Sequence, residues 1–184
     1  MPAVFIFHGL GGHSGENWFP WLKEKLEADG HQVIVPAFPH PDQPDLDEWM
    51  KHMVQYESLI NENTIFVGHS LGGAFALRLL EHRQQSIKAV FLVATVSGPI
   101  PHRIDPLLTT FTHHPFDWNT IREKAGKFMV LHSDNDPYIP LVQAEHMAQS
   151  LGTTVTLIKG GEHLNEGAGY GTFEVLFQLV KDAS

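Results

Sequence analysis

Cysteine does not occur among the 184 residues of the chain. Disulfides and cysteine-based zinc or redox chemistry are therefore excluded. A chain without bridges fits a reducing compartment, and the cytoplasm is the expected location. Long hydrophobic runs are missing too: none approaches the roughly 18–20 apolar residues of a membrane span. The first apolar stretch covers only Ala3 to Phe7. Neither a basic segment nor a cleavage site accompanies it, so no signal peptide is expected. Positive charge is scarce. Twelve Lys and Arg against 21 Asp and Glu leave a net charge of −9, which argues against nucleic acid or an anionic membrane as partner. No Gly-Lys-Ser/Thr is present, so a phosphate-binding P-loop is ruled out.

What remains is an ordinary globular composition, with 42% apolar and 18% charged residues. The length favours one domain over residues 1–184 with a sizeable core. Thirteen histidines are many. No helical pair at i, i+4 stands out, and the adjacent His113 and His114 would point apart in most backbones, so no metal site is expected.

Six short apolar runs recur: Val4–Phe7, Gln32–Val35, Ile65–Val67, Ala89–Ala94, Phe128–Leu131 and Val155–Ile158. They are continuous rather than alternating, as strands covered on both faces are. Helical patterns separate most of them. Trp18 to Ala28 carries one apolar stripe and stops at Asp29-Gly30. Asp45-Leu46-Asp47-Glu48 resembles a capping box opening a helix to about Asn61. Ser70 to Arg83, Leu141 to Leu151 and Thr172 to Lys181 complete the set. The alternation predicts an α/β fold, a three-layer α/β/α sandwich with a mostly parallel six-stranded sheet. Gly98 to Trp118 is the exception. It holds four prolines and no clear period, and loops of that length are usually functional.

Ligands of such sheets bind beyond the carboxyl ends of the strands. The exit of the first strand, Gly9-Leu10-Gly11-Gly12-His13-Ser14-Gly15, does not fit a dinucleotide fingerprint. Ser14 stands where a glycine is needed, and the next strand ends in Val35-Pro36-Ala37-Phe38 without an acid for the ribose. The third exit reads Gly68-His69-Ser70-Leu71-Gly72. The pattern G-x-S-x-G is weak by itself, but here an apolar strand precedes it and a helix follows. That is the setting of a nucleophile elbow, in which small residues two before and two after the serine let strand and helix pass closely. Gly-His-Ser also occurs at Gly12-His13-Ser14, where Glu16 replaces the second glycine; no elbow can form there.

A serine nucleophile needs a base, and the base an orienting carboxylate. The chain order in this fold is serine, acid, histidine. Ser133-Asp134-Asn135-Asp136 and Gly160-Gly161-Glu162-His163 stand at the fifth and sixth exits. Asp136 is favoured as the acid; Asp134, two residues earlier, is the competing carboxylate or a brace for the turn. His163 is favoured over His132, within or beside a strand, and over His146, in mid-helix. His8 and His69 read as packed or hydrogen-bonded neighbours.

GHSLG, SDNDPYIP and GGEH, together with the opening FIFHGLGGHSGENWFPWLKEKL, resemble the α/β-hydrolase superfamily. Within it they more closely resemble the small serine hydrolases related to retinoblastoma-binding protein nine and the YdeN-like proteins. The resemblance extends from Val4 to about Val180. By motif it implies Ser70 as nucleophile, Asp136 as acid and His163 as base, in a compact fold whose only cap is the short loop at about 98–118. The expected activity is hydrolysis of small carboxylic esters, without cofactor or metal. The oxyanion would be met by the amides of Leu71 and Leu10, with Gly9 or Gly11 as alternatives to Leu10. Leu10, Trp18 and the Gly98–Trp118 loop are expected to line the substrate pocket. The competing expectation is a non-catalytic member of the fold that works through an unidentified protein partner.

Overall fold

The computed structural model describes residues 3–184. Six parallel strands form one sheet: β1 (Ala3–Phe7), β2 (Gln32–Ile34), β3 (Ile65–His69), β4 (Ala89–Val93), β5 (Phe128–Ser133) and β6 (Val155–Ile158), in the order β2-β1-β3-β4-β5-β6. Each coincides with one of the six apolar runs. The continuous runs are explained by the two cores they serve. Phe5, Phe7 and Phe66 face one side, where α2 (Leu46–Met53), α3 (Leu71–His82) and α6 (Leu141–Leu151) pack. Val4, Ile6, Ile65 and Val67 face the other, against α1 (Phe19–Ala28) and α7 (Glu174–Ala183). The result is the three-layer arrangement expected of a sheet buried on both faces.

Helix boundaries follow local chemistry. Asp45 caps α2 by accepting from the Glu48 amide at 3.1 Å. That helix ends at Met53 and continues as a 3₁₀ segment, Val54–Leu59, where the sequence suggests a single helix. The α6 helix stops at Gly152, whose φ of 72° is the left-handed cap that glycine supplies.

The Gly98–Trp118 stretch is more ordered than its missing period suggests. It contains a 3₁₀ turn at Asp105–Leu107 and a short α4 (Thr109–Thr112), and Trp118 opens α5 (Trp118–Glu123). Tertiary contacts hold it. Arg78, buried on α3, donates to Phe111 O at 2.9 Å, to Pro115 O at 3.3 Å and to His114 O. Its guanidinium lies 3.8 Å from the centre of the Phe116 ring and pairs with Glu81 at 2.8 Å. No period in the loop itself could reveal an anchor that sits on another helix.

In this strand order the chain leaves β1 and β3 toward opposite edges of the sheet. Their carboxyl ends therefore flank a crevice, the place where open α/β sheets bind ligands.

Candidate active site

Ser70 follows directly on β3 and precedes the first residue of α3. Its φ of 55° and ψ of −121° lie outside the regions that residues with side chains favour. The flanking glycines make this turn sterically possible. A Cβ on Gly68 would stand 2.5 Å from Gly73 Cα, and one on Gly72 would stand 2.2 Å from Phe7 O. No side chain fits at either place.

His163 lies in the loop after β6, and its Nδ1 donates to Asp136 Oδ2 at 2.8 Å. The carboxylate is 1% exposed. Its other oxygen accepts from the amides of Tyr138 at 2.9 Å and Ile139 at 3.0 Å. Burial pushes the Asp136 pKa up, but the hydrogen bond and charge of His163, with those two amides, hold it below the usual carboxylate value. With Nδ1 protonated, Nε2 of His163 keeps its lone pair. That nitrogen forms no hydrogen bond among the described residues, and His163 lines the same cavity as Ser70.

The structure separates the competing residues. It is Asp136 that reaches His163, while Asp134 accepts from the Gly160 amide at 2.7 Å and braces the neighbouring loop. His132 is fully buried, donates to Ile139 O at 3.0 Å and stands 4.0 Å from Asp136. His146 sits within α6. His8 is packed between Phe38 and Trp49, donates to Gly9 O at 2.9 Å and accepts from the Phe38 amide at 3.2 Å. Burial lowers its pKa and keeps it neutral.

Two small compartments meet at Ser70 and His163. The first, about 190 Å³, is walled by Leu10, Val96, Ile100, Ile104, Leu108 and Ile139, with Tyr138 and Asn165 at its side. The second, about 150 Å³, is polar and is lined by Glu16, Asn17 and Asn165 beside Gly9 and Leu10. Burial raises the Glu16 pKa. Leu71 N has no carbonyl one turn behind it, as the first amide of a helix never does. In the first loop Gly11 N donates to Pro41 O at 2.7 Å, which removes it as a donor to ligand. Leu10 N donates to no described residue, and a Cβ on its neighbour Gly9 would sit 3.4 Å from Ser70 Oγ.

One expected pocket residue is misplaced. Trp18 is fully buried and lines neither compartment. Its ring packs on Phe19, His69 and Phe173 in the core between the sheet and the α1–α7 layer. A large apolar ring just ahead of an amphipathic helix gains more from that core than from the site. Ile100, Ile104 and Leu108 come from the Gly98–Trp118 loop that was expected to line the pocket, whereas Val96, Tyr138, Ile139 and Asn165 are absent from the sequence reading as pocket residues. Val96 stands at the exit of β4, and the strand-exit rule would have found it.

A family model described as serine hydrolase matches residues 4–182. The chain belongs to the serine hydrolase family. The curated YdeN hydrolase of Bacillus subtilis (strain 168) is 32% identical over 179 residues, covering 96% of this chain and 93% of YdeN. The serine hydrolase RBBP9 of Rattus norvegicus is 26% identical over 145 residues, covering 78% of this chain and 76% of RBBP9. The crystal structure of the B. subtilis ydeN gene product superposes with a TM-score of 0.94 at 31% identity, over 100% of this chain and 98% of that one. As a serine hydrolase of α/β-hydrolase fold, the chain carries its Gly-His-Ser-Leu-Gly turn at the sheet's crevice. Among the described residues no helix is long and apolar enough to cross a membrane.

Proposed function

We propose that this serine hydrolase cleaves small carboxylic esters through an acyl-enzyme on Ser70. One observation carries the reading: a serine on a strained strand-to-helix turn shares a small cavity with a histidine whose Nδ1 is bound to a buried carboxylate. Ser70 Oγ attacks the ester carbonyl while His163 Nε2 takes its proton. Asp136 holds the tautomer that leaves Nε2 basic and steadies the imidazolium that forms. The amides of Leu71 and Leu10 receive the oxyanion, each worth about 3–4 kcal/mol. The tetrahedral adduct collapses, the carbon–oxygen bond to the alcohol breaks, and His163 returns its proton to the departing oxygen. Water then attacks the acyl-enzyme with His163 again as base, releasing the carboxylic acid and free Ser70. Side chains, backbone amides and water suffice for these steps. The binding partner in this reading is a small-molecule ester, and the lack of cysteine supports a cytoplasmic setting.

The cavity supports short acyl groups. At about 190 Å³ it falls below the roughly 300–1,000 Å³ of drug-sized sites, and its walls are branched aliphatics. A longer chain would leave methylenes in water, forfeiting about 0.8 kcal/mol each. The test is the p-nitrophenyl ester series from acetate to palmitate at fixed pH. We expect kcat/KM to peak at about two to six acyl carbons, where the chain fills the pocket, and to fall beyond. A steady rise into the long-chain esters overturns the short-acyl reading.

A further inference from the structure

Three consecutive carbonyls around His163 are each held by a side chain from a different part of the molecule. Ser133 Oγ, at the end of β5, donates to Glu162 O. His69 Nε2, at the end of β3, donates to His163 O at 2.9 Å. Trp18 Nε1, just ahead of α1, donates to Leu164 O at 3.0 Å. All three donors are buried. The segment they hold is strained: Glu162 has φ 46° and Leu164 has φ 52°, on either side of His163. Left-handed residues with side chains persist only where their surroundings over-determine them. Here buried N–H and O–H donors, which have no water to turn to, supply that determination.

We propose that His69 and Trp18 are positioning residues, whose N–H groups lock the peptide of His163 so that its ring spans Asp136 and Ser70 together. The inference rests on the reading of Ser70 and His163 given above. His69 is the telling member. It is the residue immediately before Ser70, so one side chain ties the carbonyl of the base to the strand that leads into the nucleophile. Its ring centre lies 5.0 Å from that of His163. Because its partner is a carbonyl, Nε2 must carry the proton. Burial, with the neighbouring His163, pushes the His69 pKa down to about 3, so the ring stays neutral and cannot place a second positive charge beside the imidazolium.

The test uses the whole chain. His69→Phe keeps a ring of similar size and deletes the donor; His69→Gln returns an N–H at similar reach; Trp18→Phe deletes the indole N–H. Turnover of a short p-nitrophenyl ester, fluorophosphonate labelling and hydrogen exchange of the 159–165 peptide are measured. We expect His69→Phe and Trp18→Phe to lower kcat about 10- to 100-fold with KM nearly unchanged, as a small displacement of a reacting group does. His69→Gln should recover most of the loss. Exchange in 159–165 should rise in both Phe variants. A folded His69→Phe enzyme with wild-type kcat, or a His69→Gln no better than His69→Phe, overturns the proposal. If His69→Phe does not fold, Trp18→Phe carries the same test, and a folded Trp18→Phe enzyme with wild-type kcat overturns the proposal. Wild-type protein that neither labels nor turns over ester would refute the catalytic reading instead. The exchange data then still decide the clamp, which fails if 159–165 exchanges no faster in the variants.

Discussion

Gly12-His13-Ser14 and Gly68-His69-Ser70 are the same tripeptide in two settings. The first lies in the loop between β1 and α1. Its histidine and serine are exposed, and its local bonds are from the Gly12 amide to Gly9 O at 3.2 Å and from the Gly15 amide to His13 Nδ1 at 3.1 Å. The second closes β3. Its histidine is buried, its serine is forced to φ 55°, and its glycine touches the backbone of the following helix. Identical side chains thus become a solvent-exposed loop and the candidate catalytic turn. The difference comes from the neighbours. A strand pins the second tripeptide from one side. Gly72, whose absent side chain would collide with Phe7 O, allows α3 to start at once on the other; at the equivalent place in the first copy stands Glu16. A motif of this kind is therefore a statement about the close approach of strand and helix more than about the serine.

The two copies can be told apart position by position. The serines should differ most. Ser70→Ala is expected to abolish fluorophosphonate labelling and lower kcat by about 10⁵–10⁶, while Ser14→Ala labels and turns over as wild type. The reverse pattern in mass spectrometry of the labelled peptide would assign the chemistry to the wrong copy. The glycines come next. A Cβ on Gly68 meets three backbone atoms of Gly72 and Gly73 at 2.5–2.6 Å, so Gly68→Ala should cost more than about 3 kcal/mol in urea unfolding. On Gly12 the nearest atom is the tip of the flexible Glu16 side chain at 2.5 Å, with Gly9 O at 3.0 Å. Gly12→Ala should cost about 1–2 kcal/mol. Equal costs would mean that the elbow has room the structure does not show.

The histidines sharpen the contrast through pH. His69 is neutral in the folded protein, with its pKa down from 6.5 to about 3. Between those values the unfolded chain binds a proton that the folded chain refuses, so stability falls as pH falls. The slope is about 1.4 kcal/mol per pH unit, near 2 kcal/mol from pH 6.5 to about pH 5. His8 and His132, also lowered by burial, act in the same direction. Urea midpoints from pH 7 to pH 5 should therefore decline in the wild type and decline less in His69→Phe. A His69→Phe slope as steep as wild type would show that this ring is not held neutral.

Much of the fold was legible because its determinants are local in sequence. Six apolar runs became six strands, and the stops at Gly30 and Gly152 end α1 and α6 close to where they were read. Ser70 stood out because Gly68 and Gly72 are visible at fixed spacing. Trp18 was misassigned because its neighbours Phe19, His69 and Phe173 are scattered along the chain, and a tryptophan near a loop looks the same whether it faces a ligand or a core. The apolar cavity wall was legible only as a loop, Gly98–Trp118, and not residue by residue, for a similar reason. Ile100, Ile104 and Leu108 sit in a segment without a period, and its shape is imposed by Arg78 on α3.

By itself the sequence determined the layer architecture, the order of the strands' chemistry and the residue types at each strand exit. Hydrophobic runs, caps and glycine spacing act over a few residues and can be read in line. Only the tertiary structure decided which aspartate meets His163, that Gly11 N is already used by Pro41 O, and that the carbonyls of Glu162, His163 and Leu164 are held by Ser133, His69 and Trp18. Hydrogen bonds between groups 29, 94 and 146 residues apart depend on how the sheet brings its strand ends together, and no spacing along the chain encodes a distance of 3 Å across it.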